Sequence, residues 1–209
     1  MVLAVLLTVL AGYLLGNLNG AVITSRLFGK TDVREQGSGN AGLTNFLRMY
    51  GPVKALLVVG IDMVKAAAAC LLGKLLLQSY DFSYEGLLLG GLAVSLGHDF
   101  PAFLGFKGGK GVLSGFTVAL VVDWQCALLI LAVFAVSLWL TRYVSLSSIL
   151  GALTFAVAFS IRNWQEPLVA AMGAAIGLLV VVMHRANISR LLKGTEKKAT
   201  FSKFRRKVQ

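Results

Sequence analysis

Long apolar runs separated by short polar connections dominate the 209-residue chain. Their lengths favour membrane-spanning helices, because a helix needs about 20 apolar residues to cross the hydrocarbon core of a bilayer. The pattern predicts seven spans, at about residues 2–28, 53–77, 86–96, 113–122, 125–140, 146–161 and 168–183. Two of these apolar runs are short, and we expect the span at 86–96 to start a few residues earlier and that at 113–122 to begin within the glycine-rich stretch before it. The predicted fold class is therefore an all-α integral membrane protein with about seven transmembrane helices.

Composition supports this fold class and excludes a soluble domain. Hydrophobic residues make up 57% of the chain and charged residues 14%, and the mean hydropathy is +0.79. The formal net charge is +11, yet nine of the 20 Lys and Arg residues follow His184. Such clustering is typical of segments that face anionic lipid at the cytoplasmic surface, so we expect membrane lipid and not nucleic acid as a partner. Cys70 and Cys126 lie far apart in apolar runs, which predicts neither a disulfide nor a metal site.

The distribution of cations predicts the orientation. With the N-terminus outside and the C-terminus cytoplasmic, most connection cations fall inside, as the positive-inside rule requires. They are Lys30, Arg34, Arg48, Lys107, Lys110, Arg142 and the cations of the tail. We predict one transmembrane domain over residues 1–196 and a basic cytoplasmic tail over 197–209. The first run lacks a basic start and a small-residue cleavage site, which favours a retained helix.

Three polar, glycine-containing segments then lie on the cytoplasmic side. The most distinctive is GHDFPAFLGFKGGKGV, residues 97–112, in which Lys107 and Lys110 flank Gly108 and Gly109. Glycine allows a tight turn, and free N–H groups beside lysines are suited to binding phosphate. A simple turn between two membrane helices is the alternative interpretation.

The other two segments carry hydroxyls, amides and further cations. Residues 37–51 read GSGNAGLTNFLRMYG, and their hydroxyls and amides belong to Ser38, Asn40, Thr44 and Asn45. Ser38 or Asn40 is predicted to cap a short helix over about 41–49 that carries Thr44 and Arg48 on one face. Residues 184–196 read HRANISRLLKGTE, where His184, Asn187 and Arg190 or Lys193 recur at helical spacing. For both segments an interfacial loop helix without a ligand is the alternative.

The chemistry indicated is anion binding without a metal. Cations, amides and glycine N–H groups dominate these segments, and carboxylates are scarce, so phosphate is the expected ligand. The sequence contains no aspartate-rich Mg²⁺ motif, HExxH, GxSxG or HxxxxD. A transporter for an organic phosphate would show internal repeats, which are absent, and a CDP-alcohol transferase would need clustered aspartates. Asp62 and Lys65 can pair on one helix face, in either a structural or a functional role.

The segments SGNAGLTN, GHDFPAFLGFKGGKGV and HRANISRLLKGTE resemble the three motifs of the bacterial acyl-phosphate:glycerol-3-phosphate acyltransferases, the PlsY family. Motif order, length and the number of runs agree up to about Glu196. The resemblance implies acyl transfer from acyl-phosphate to the sn-1 hydroxyl of glycerol 3-phosphate, which gives 1-acyl-glycerol 3-phosphate and phosphate. It also implies the bacterial cytoplasmic membrane, an active site facing the cytoplasm, no cofactor, and a soluble enzyme upstream that makes the acyl-phosphate.

On this basis our mechanistic hypothesis assigns roles to twelve residues. The catalytic residues would be Ser38, Asn45, Lys107 and His184. The substrate-binding residues would be Asn40, Thr44, Arg48, Gly108, Gly109, Lys110, Asn187 and Arg190. The Lys107–Lys110 turn, with Ser38 and Asn40, would hold the acyl-phosphate. The glycerol phosphate would be held by Arg48, His184, Asn187 and Arg190, and its hydroxyl would be oriented by Thr44 and Asn45. The proton acceptor stays open among His184, His98 and a substrate phosphate oxygen. We expect Arg48→Ala and Lys107→Ala each to abolish most activity.

Overall fold

A computed structural model describes residues 1–29 and 31–199. In these ranges the regular structure consists of ten α-helices and three short 3-10 turns, with no strand. The α-helices are α1 (Val2–Asn17), α2 (Gly20–Gly29), α3 (Leu43–Tyr50), α4 (Pro52–Leu77), α5 (Ser83–Asp99), α6 (Val112–Val122), α7 (Trp124–Thr141), α8 (Val144–Arg162), α9 (Pro167–Met183) and α10 (Arg185–Leu192). The all-helical prediction is confirmed. Lys30 and residues 200–209 of the predicted tail lie outside the described residues.

The predicted apolar runs are helical, except that the first is interrupted at residues 18–19 between α1 and α2. Not every run meets the length expected of a membrane span. Among the described residues, five helical stretches are long and apolar enough to cross a bilayer, and α9 with α10, which meet at 55°, makes a sixth. Helix α6 has 11 residues. It is therefore about 16 Å long, roughly half of the ~30 Å hydrocarbon core. The number of crossings and the orientation of the termini stay predictions.

The three polar segments meet at one end of the helix bundle, hereafter the loop end. Hydrogen bonds join these segments and the residues beside them. Lys110 donates to Asn187, Arg34 before the first segment donates to the carbonyl of Leu104, and the N–H of Ala199 after the third donates to the carbonyl of Arg142 in the α7–α8 turn. At the opposite end, Arg162 pairs with Asp123 at 2.7 Å. The sequence prediction that the polar segments share one side is confirmed.

Small residues allow α1, α4 and α5 to pack closely. A Cβ at Gly97 of α5 would overlap the carbonyl of Tyr13 on α1. Close backbone approach through glycine is a common way to associate helices in a membrane. At the loop end a second core, which includes the buried Val33, Phe46 and Val58, anchors the segment before α4 onto that helix. The first polar segment is thereby fixed against the bundle.

Candidate active site

A cavity of about 820 Å³ lies between the three polar segments and helices α6–α9. Nine of the twelve predicted site residues line it, namely Ser38, Asn40, Thr44, Asn45, Arg48, Lys110, His184, Asn187 and Arg190. The rest of the wall is largely apolar and includes Leu113, Phe116, Ile130, Phe134, Phe155, Ile176 and Val180. A cavity of this size accommodates a small amphiphilic ligand. The predicted residues that do not line it are Lys107, Gly108 and Gly109.

Asp32 organises the start of the first polar segment. Its carboxylate accepts from the backbone N–H and guanidinium of Arg34 and, at 2.9 Å, from Arg26. The hydrogen bond from the Arg34 side chain lowers the pKa of Asp32 from 3.8 to about 2. Because the folded-state pKa is lowered, this pairing stabilises the segment above about pH 4, and the stabilisation is lost as the pH falls toward 2.

We expect Asp32→Asn to loosen residues 33–40, since it removes the charge from both arginine contacts. The protection of backbone amides in this segment, relative to intrinsic exchange at the same pH, should fall about tenfold at neutral pH, and acidification toward pH 2 should lower that protection in the wild type as well. Hydrogen–deuterium exchange checks this, with Asp81→Asn at the exposed α4–α5 turn as the control. Unchanged exchange in Asp32→Asn would contradict the role of this pairing.

Asn45 holds the loop that carries Ser38. Its buried amide accepts from the N–H of Ser38 at 2.9 Å. The same amide donates to the carbonyls of Val33, Gln36 and Asn40. These bonds use both the oxygen and the nitrogen of the amide, so Asn45 holds the loop in place. We therefore propose a positioning role for Asn45 instead of the predicted contact with a substrate hydroxyl.

Helix α3 presents Thr44 and Arg48 to the cavity, as their spacing predicted. The predicted cap is wrong: the helix begins at Leu43 with Gly42 at its N-cap, and no side chain caps it. The carbonyl of Asn40 is engaged by Asn45 instead. Arg48 is exposed, and no carboxylate in the described ranges forms a salt bridge with it.

The glycine turn packs on the end of α5, where the N–H groups of Gly108 and Gly109 are occupied. Gly108 N–H donates to the carbonyl of Asp99 at 3.2 Å, and Gly109 N–H donates to that of His98 at 3.1 Å. These carbonyls belong to the last turn of α5 and lack helical partners. A Cβ at Gly109 would overlap the ring of His98. The predicted phosphate contacts from Gly108 and Gly109 are therefore replaced by a packing role.

The two lysines of the turn point to different places. Lys107 is exposed and lies in a separate groove with Asp32 and Arg34, while its carbonyl accepts from Arg34 at 3.3 Å. Lys110 lies in the cavity and donates to the side-chain oxygen of Asn187. Lys110 therefore lies where a ligand in the cavity would contact it and Lys107 does not, so we propose Lys110 in place of Lys107 as the catalytic lysine and expect little effect of Lys107→Ala.

The charge of Lys110 is poorly compensated. Burial lowers the pKa of Lys110, and the neighbouring Arg190 and Arg48 lower it further, while Glu196 raises it. A buried cation beside other cations is stabilised when an anion binds between them. The cavity is therefore suited to a phosphate group near Lys110.

The third polar segment supplies an imidazole and a hydrogen-bonded network. The main-chain carbonyl of Val180 can only accept, so the 2.7 Å contact requires a proton on His184 Nδ1 and leaves Nε2 with a free lone pair. Glu196 accepts from Asn187 at 2.6 Å and pairs with Arg190 at 2.6 Å. His184, Asn187 and Arg190 share the cavity face that their spacing predicted.

Sequence reasoning missed the roles of Glu196 and of α8. Glu196 also accepts from Ser145 at 2.7 Å, and both residues line the cavity, as does Ser148. The run VSLSSI, which places hydroxyls at the loop-end start of an otherwise apolar helix, was the available signal. In the described ranges no group of three or more His, Cys, Asp or Glu side chains is arranged to hold a metal.

The predicted pair of Asp62 and Lys65 is confirmed, with the two groups 2.7 Å apart and both nearly inaccessible. Lys65 also contacts His98 Nδ1 at 2.8 Å. Because a charged ammonium group only donates, His98 Nδ1 accepts and the ring proton is on Nε2. His98 therefore has no free lone pair with which to take a proton from a substrate.

Comparisons with known proteins identify relatives of this chain. The model of the family described as "Glycerol-3-phosphate acyltransferase" matches residues 6–194. The glycerol-3-phosphate acyltransferase of Thermoanaerobacter pseudethanolicus is 39% identical over 192 residues, 92% of this chain and 94% of the relative. That of Brucella ovis is 40% identical over 187 residues, 90% and 89% of the two chains.

Solved structures show the same architecture. The crystal structure of PlsY, an integral membrane glycerol 3-phosphate acyltransferase, in its glycerol 3-phosphate form matches with a TM-score of 0.86 and 33% identity over 97% of this chain and 99% of the other. Its lysophosphatidic acid form matches with a TM-score of 0.79 and 35% identity over 94% and 95%. The predicted class of all-α integral membrane protein is thereby confirmed.

Proposed function

Because the chain belongs to the glycerol-3-phosphate acyltransferase family, we propose that it transfers a fatty acyl group from acyl-phosphate to the sn-1 hydroxyl of glycerol 3-phosphate. The products are 1-acyl-glycerol 3-phosphate, a lysophosphatidic acid, and inorganic phosphate. This is the first acylation of phospholipid synthesis.

One observation carries the proposal: a single cavity joins a cationic, amide-rich end to an apolar space between membrane helices. Arg48 and Lys110 lie at the polar end, and Phe116, Phe134 and Phe155 line the apolar part. An acyl-phosphate has the same division, with an anionic head and an aliphatic tail. The second substrate, glycerol 3-phosphate, brings a further phosphate to the polar end.

In the proposed mechanism the enzyme positions two anions and neutralises charge. The sn-1 oxygen attacks the acyl carbonyl carbon, the bond between that carbon and the phosphate oxygen breaks, and phosphate leaves with the electron pair. Lys110, with Ser38 and Asn40, holds the acyl-phosphate and the charge that develops on it. Because its carbonyl is activated by a good leaving group, no covalent intermediate on the enzyme is needed.

The attacking hydroxyl gives its proton to His184 in this scheme. Nε2 of His184 has a free lone pair in the cavity, whereas Nδ1 of His98 is occupied by Lys65. Arg48, Asn187 and Arg190 bind the glycerol phosphate. Thr44 lies on the same helix face as Arg48 and is placed to contact the glycerol hydroxyls.

The proposal places the protein in the bacterial cytoplasmic membrane with the loop end facing the cytoplasm. The cations Arg34, Lys107 and Arg142 are at the loop end, which supports that orientation under the positive-inside rule. Glycerol 3-phosphate would then enter directly from the cytosol. A soluble enzyme that makes acyl-phosphate would supply the donor.

A product assay on purified protein in detergent tests the proposed function. Glycerol 3-phosphate is offered with acyl-phosphate, acyl-CoA or acyl carrier protein, without added metal. We expect lysophosphatidic acid from acyl-phosphate alone. Product from acyl-CoA alone would contradict the proposed donor, and no product from any donor would contradict acyl transfer.

The apolar part of the cavity predicts a dependence on acyl-chain length. Ala152 of α8 lines the cavity, so Ala152→Leu fills space that a long chain needs. We expect the ratio of kcat/KM for a 16-carbon to that for an 8-carbon acyl-phosphate to fall about tenfold, since lost or displaced methylenes cost about 0.8 kcal/mol each. Val157→Leu is the matched control, because Val157 is 58% exposed on the same helix. If this ratio were the same in Ala152→Leu and Val157→Leu, the acyl chain would not lie in the apolar part of the cavity beside Ala152.

A further inference from the structure

The helix at the start of the chain is broken at a point that buried charges stabilise. Helix α1 ends at Asn17 and α2 begins at Gly20, so carbonyl and N–H groups at the break lack helical partners. Lys65 donates to the carbonyl of Leu18 at 2.8 Å, and Asp62 accepts from the N–H of Gly20 at 3.1 Å. Each charge has the sign that favours its helix end.

Lys65 also contacts α5, the helix that precedes the glycine turn. Lys65 donates to Nδ1 of His98 at 2.8 Å while it pairs with Asp62 at 2.7 Å. All three side chains are buried, with at most 4% of each side chain exposed. The ring of His98 is thus held in one orientation by a donor on its Nδ1 side, and Gly109 packs against the ring.

From His98 the contacts continue to the cavity. The carbonyl of His98 accepts from Gly109 N–H at 3.1 Å, and Lys110 is the next residue. Asp62 and His98 line the cavity themselves. Lys65 therefore fixes the ring of His98, and His98 with Gly109 fixes the position of Lys110, which faces the cavity.

We propose that Asp62 and Lys65 are positioning residues that set the placement of Lys110 through His98. They bind no substrate and exchange no proton in the reaction. A purely structural ion pair would contribute only to stability. A positioning pair also determines how well Lys110 meets the acyl-phosphate, and this kinetic consequence rests on the proposed function.

The kinetic test uses Asp62→Asn/Lys65→Met, which removes both charges of the pair together, so that neither is left buried without the other. The matched control is Asp123→Asn/Arg162→Met, which removes the ion pair at the opposite end. We expect kcat/KM for acyl-phosphate to fall at least about tenfold in the first variant, with KM for glycerol 3-phosphate changed less than about threefold. The control should stay near wild type. Equal kinetics in the two double variants would overturn the proposal.

His98→Gln keeps the proposal testable if the double variant fails to fold. Glutamine retains a polar group near the position of Nε2 but lacks the acceptor that Nδ1 presents to Lys65. The ion pair between Asp62 and Lys65 stays intact in this variant. The same selective loss with acyl-phosphate is expected. Wild-type kinetics in a folded His98→Gln would overturn the proposal.

A spectroscopic test needs no activity, because the chain has only two histidines. In ¹⁵N-histidine spectra of the wild type we expect opposite tautomers, with the proton on Nε2 of His98 and on Nδ1 of His184. In Asp62→Asn/Lys65→Met the His98 signal should lose its single tautomer, while His184 is unchanged. An unchanged His98 signal would overturn the proposal. If the wild type gave no product from acyl-phosphate, only the proposed function would fail, and these spectra would still decide the positioning role.

Discussion

Lys110→Met should reduce kcat/KM for acyl-phosphate roughly 10²–10³-fold, whereas Lys107→Met should stay within about threefold of wild type. Removal of one preorganised group that stabilises developing negative charge costs a loss of that size. Lys110 lies in the cavity beside Asn187, with its charge poorly compensated. Methionine retains much of the apolar stem, so the comparison isolates the ammonium group.

The Lys107 variant is a matched control because the two lysines belong to one turn. Lys107 is exposed in a different groove, and its contact with Arg34 uses its main-chain carbonyl, which Lys107→Met retains. Steady-state kinetics with both substrates varied checks the prediction. If Lys107→Met lost as much activity as Lys110→Met, the assignment of the catalytic lysine from the cavity would be wrong.

His184→Gln should reduce kcat about 10²-fold or more with a smaller change in KM for glycerol 3-phosphate. A glutamine amide can accept a hydrogen bond near the position of Nε2, but it does not take a proton at neutral pH. A loss that falls mainly on kcat therefore indicates proton transfer. A rise only in KM for glycerol 3-phosphate would indicate binding.

The variant His184→Asn distinguishes the roles of the two ring nitrogens. Asparagine retains a donor near Nδ1, where His184 bonds to the carbonyl of Val180, and has no group near Nε2. Both variants should therefore lose activity to a similar extent if Nε2 is the base. Near wild-type kcat in His184→Gln would contradict His184 as the base and favour a substrate phosphate oxygen as the acceptor.

Hydropathy and motif spacing predicted much of this fold and site. The apolar runs are helices because burial in lipid dictates their composition, and nine of twelve predicted residues line one cavity. Local spacing also predicted the pair of Asp62 and Lys65, since residues three apart share a helix face.

The directions of the side chains in the glycine turn could not be predicted from the sequence. Gly105, Phe106 and Gly111 all have positive φ, with Phe106 at 59°, so neither helical nor strand periodicity relates Lys107 to Lys110. The N–H groups of Gly108 and Gly109 bond to carbonyls at the end of α5 and are therefore not free to bind a ligand. A spacing pattern contains no information about which acceptors a turn will meet.

Long-range partners were missed for a similar reason. Lys65 meets His98 across 33 positions of sequence, and Glu196 meets Ser145 across 51. These contacts follow from how the helices pack, and single-sequence patterns constrain only near neighbours. The short α6 does not belong to these misses, because the apolar run predicted at about residues 113–122 differs from Val112–Val122 by one residue.

Release of phosphate measured with and without glycerol 3-phosphate tests direct acyl transfer in the cavity. Purified wild-type protein is mixed with acyl-phosphate labelled in its acyl chain, and phosphate, lysophosphatidic acid and protein-bound label are quantified together. Direct transfer predicts one phosphate per lysophosphatidic acid, no phosphate burst when glycerol 3-phosphate is omitted, and no label on the protein. A phosphate burst accompanied by acylated protein would contradict it and reveal a covalent intermediate.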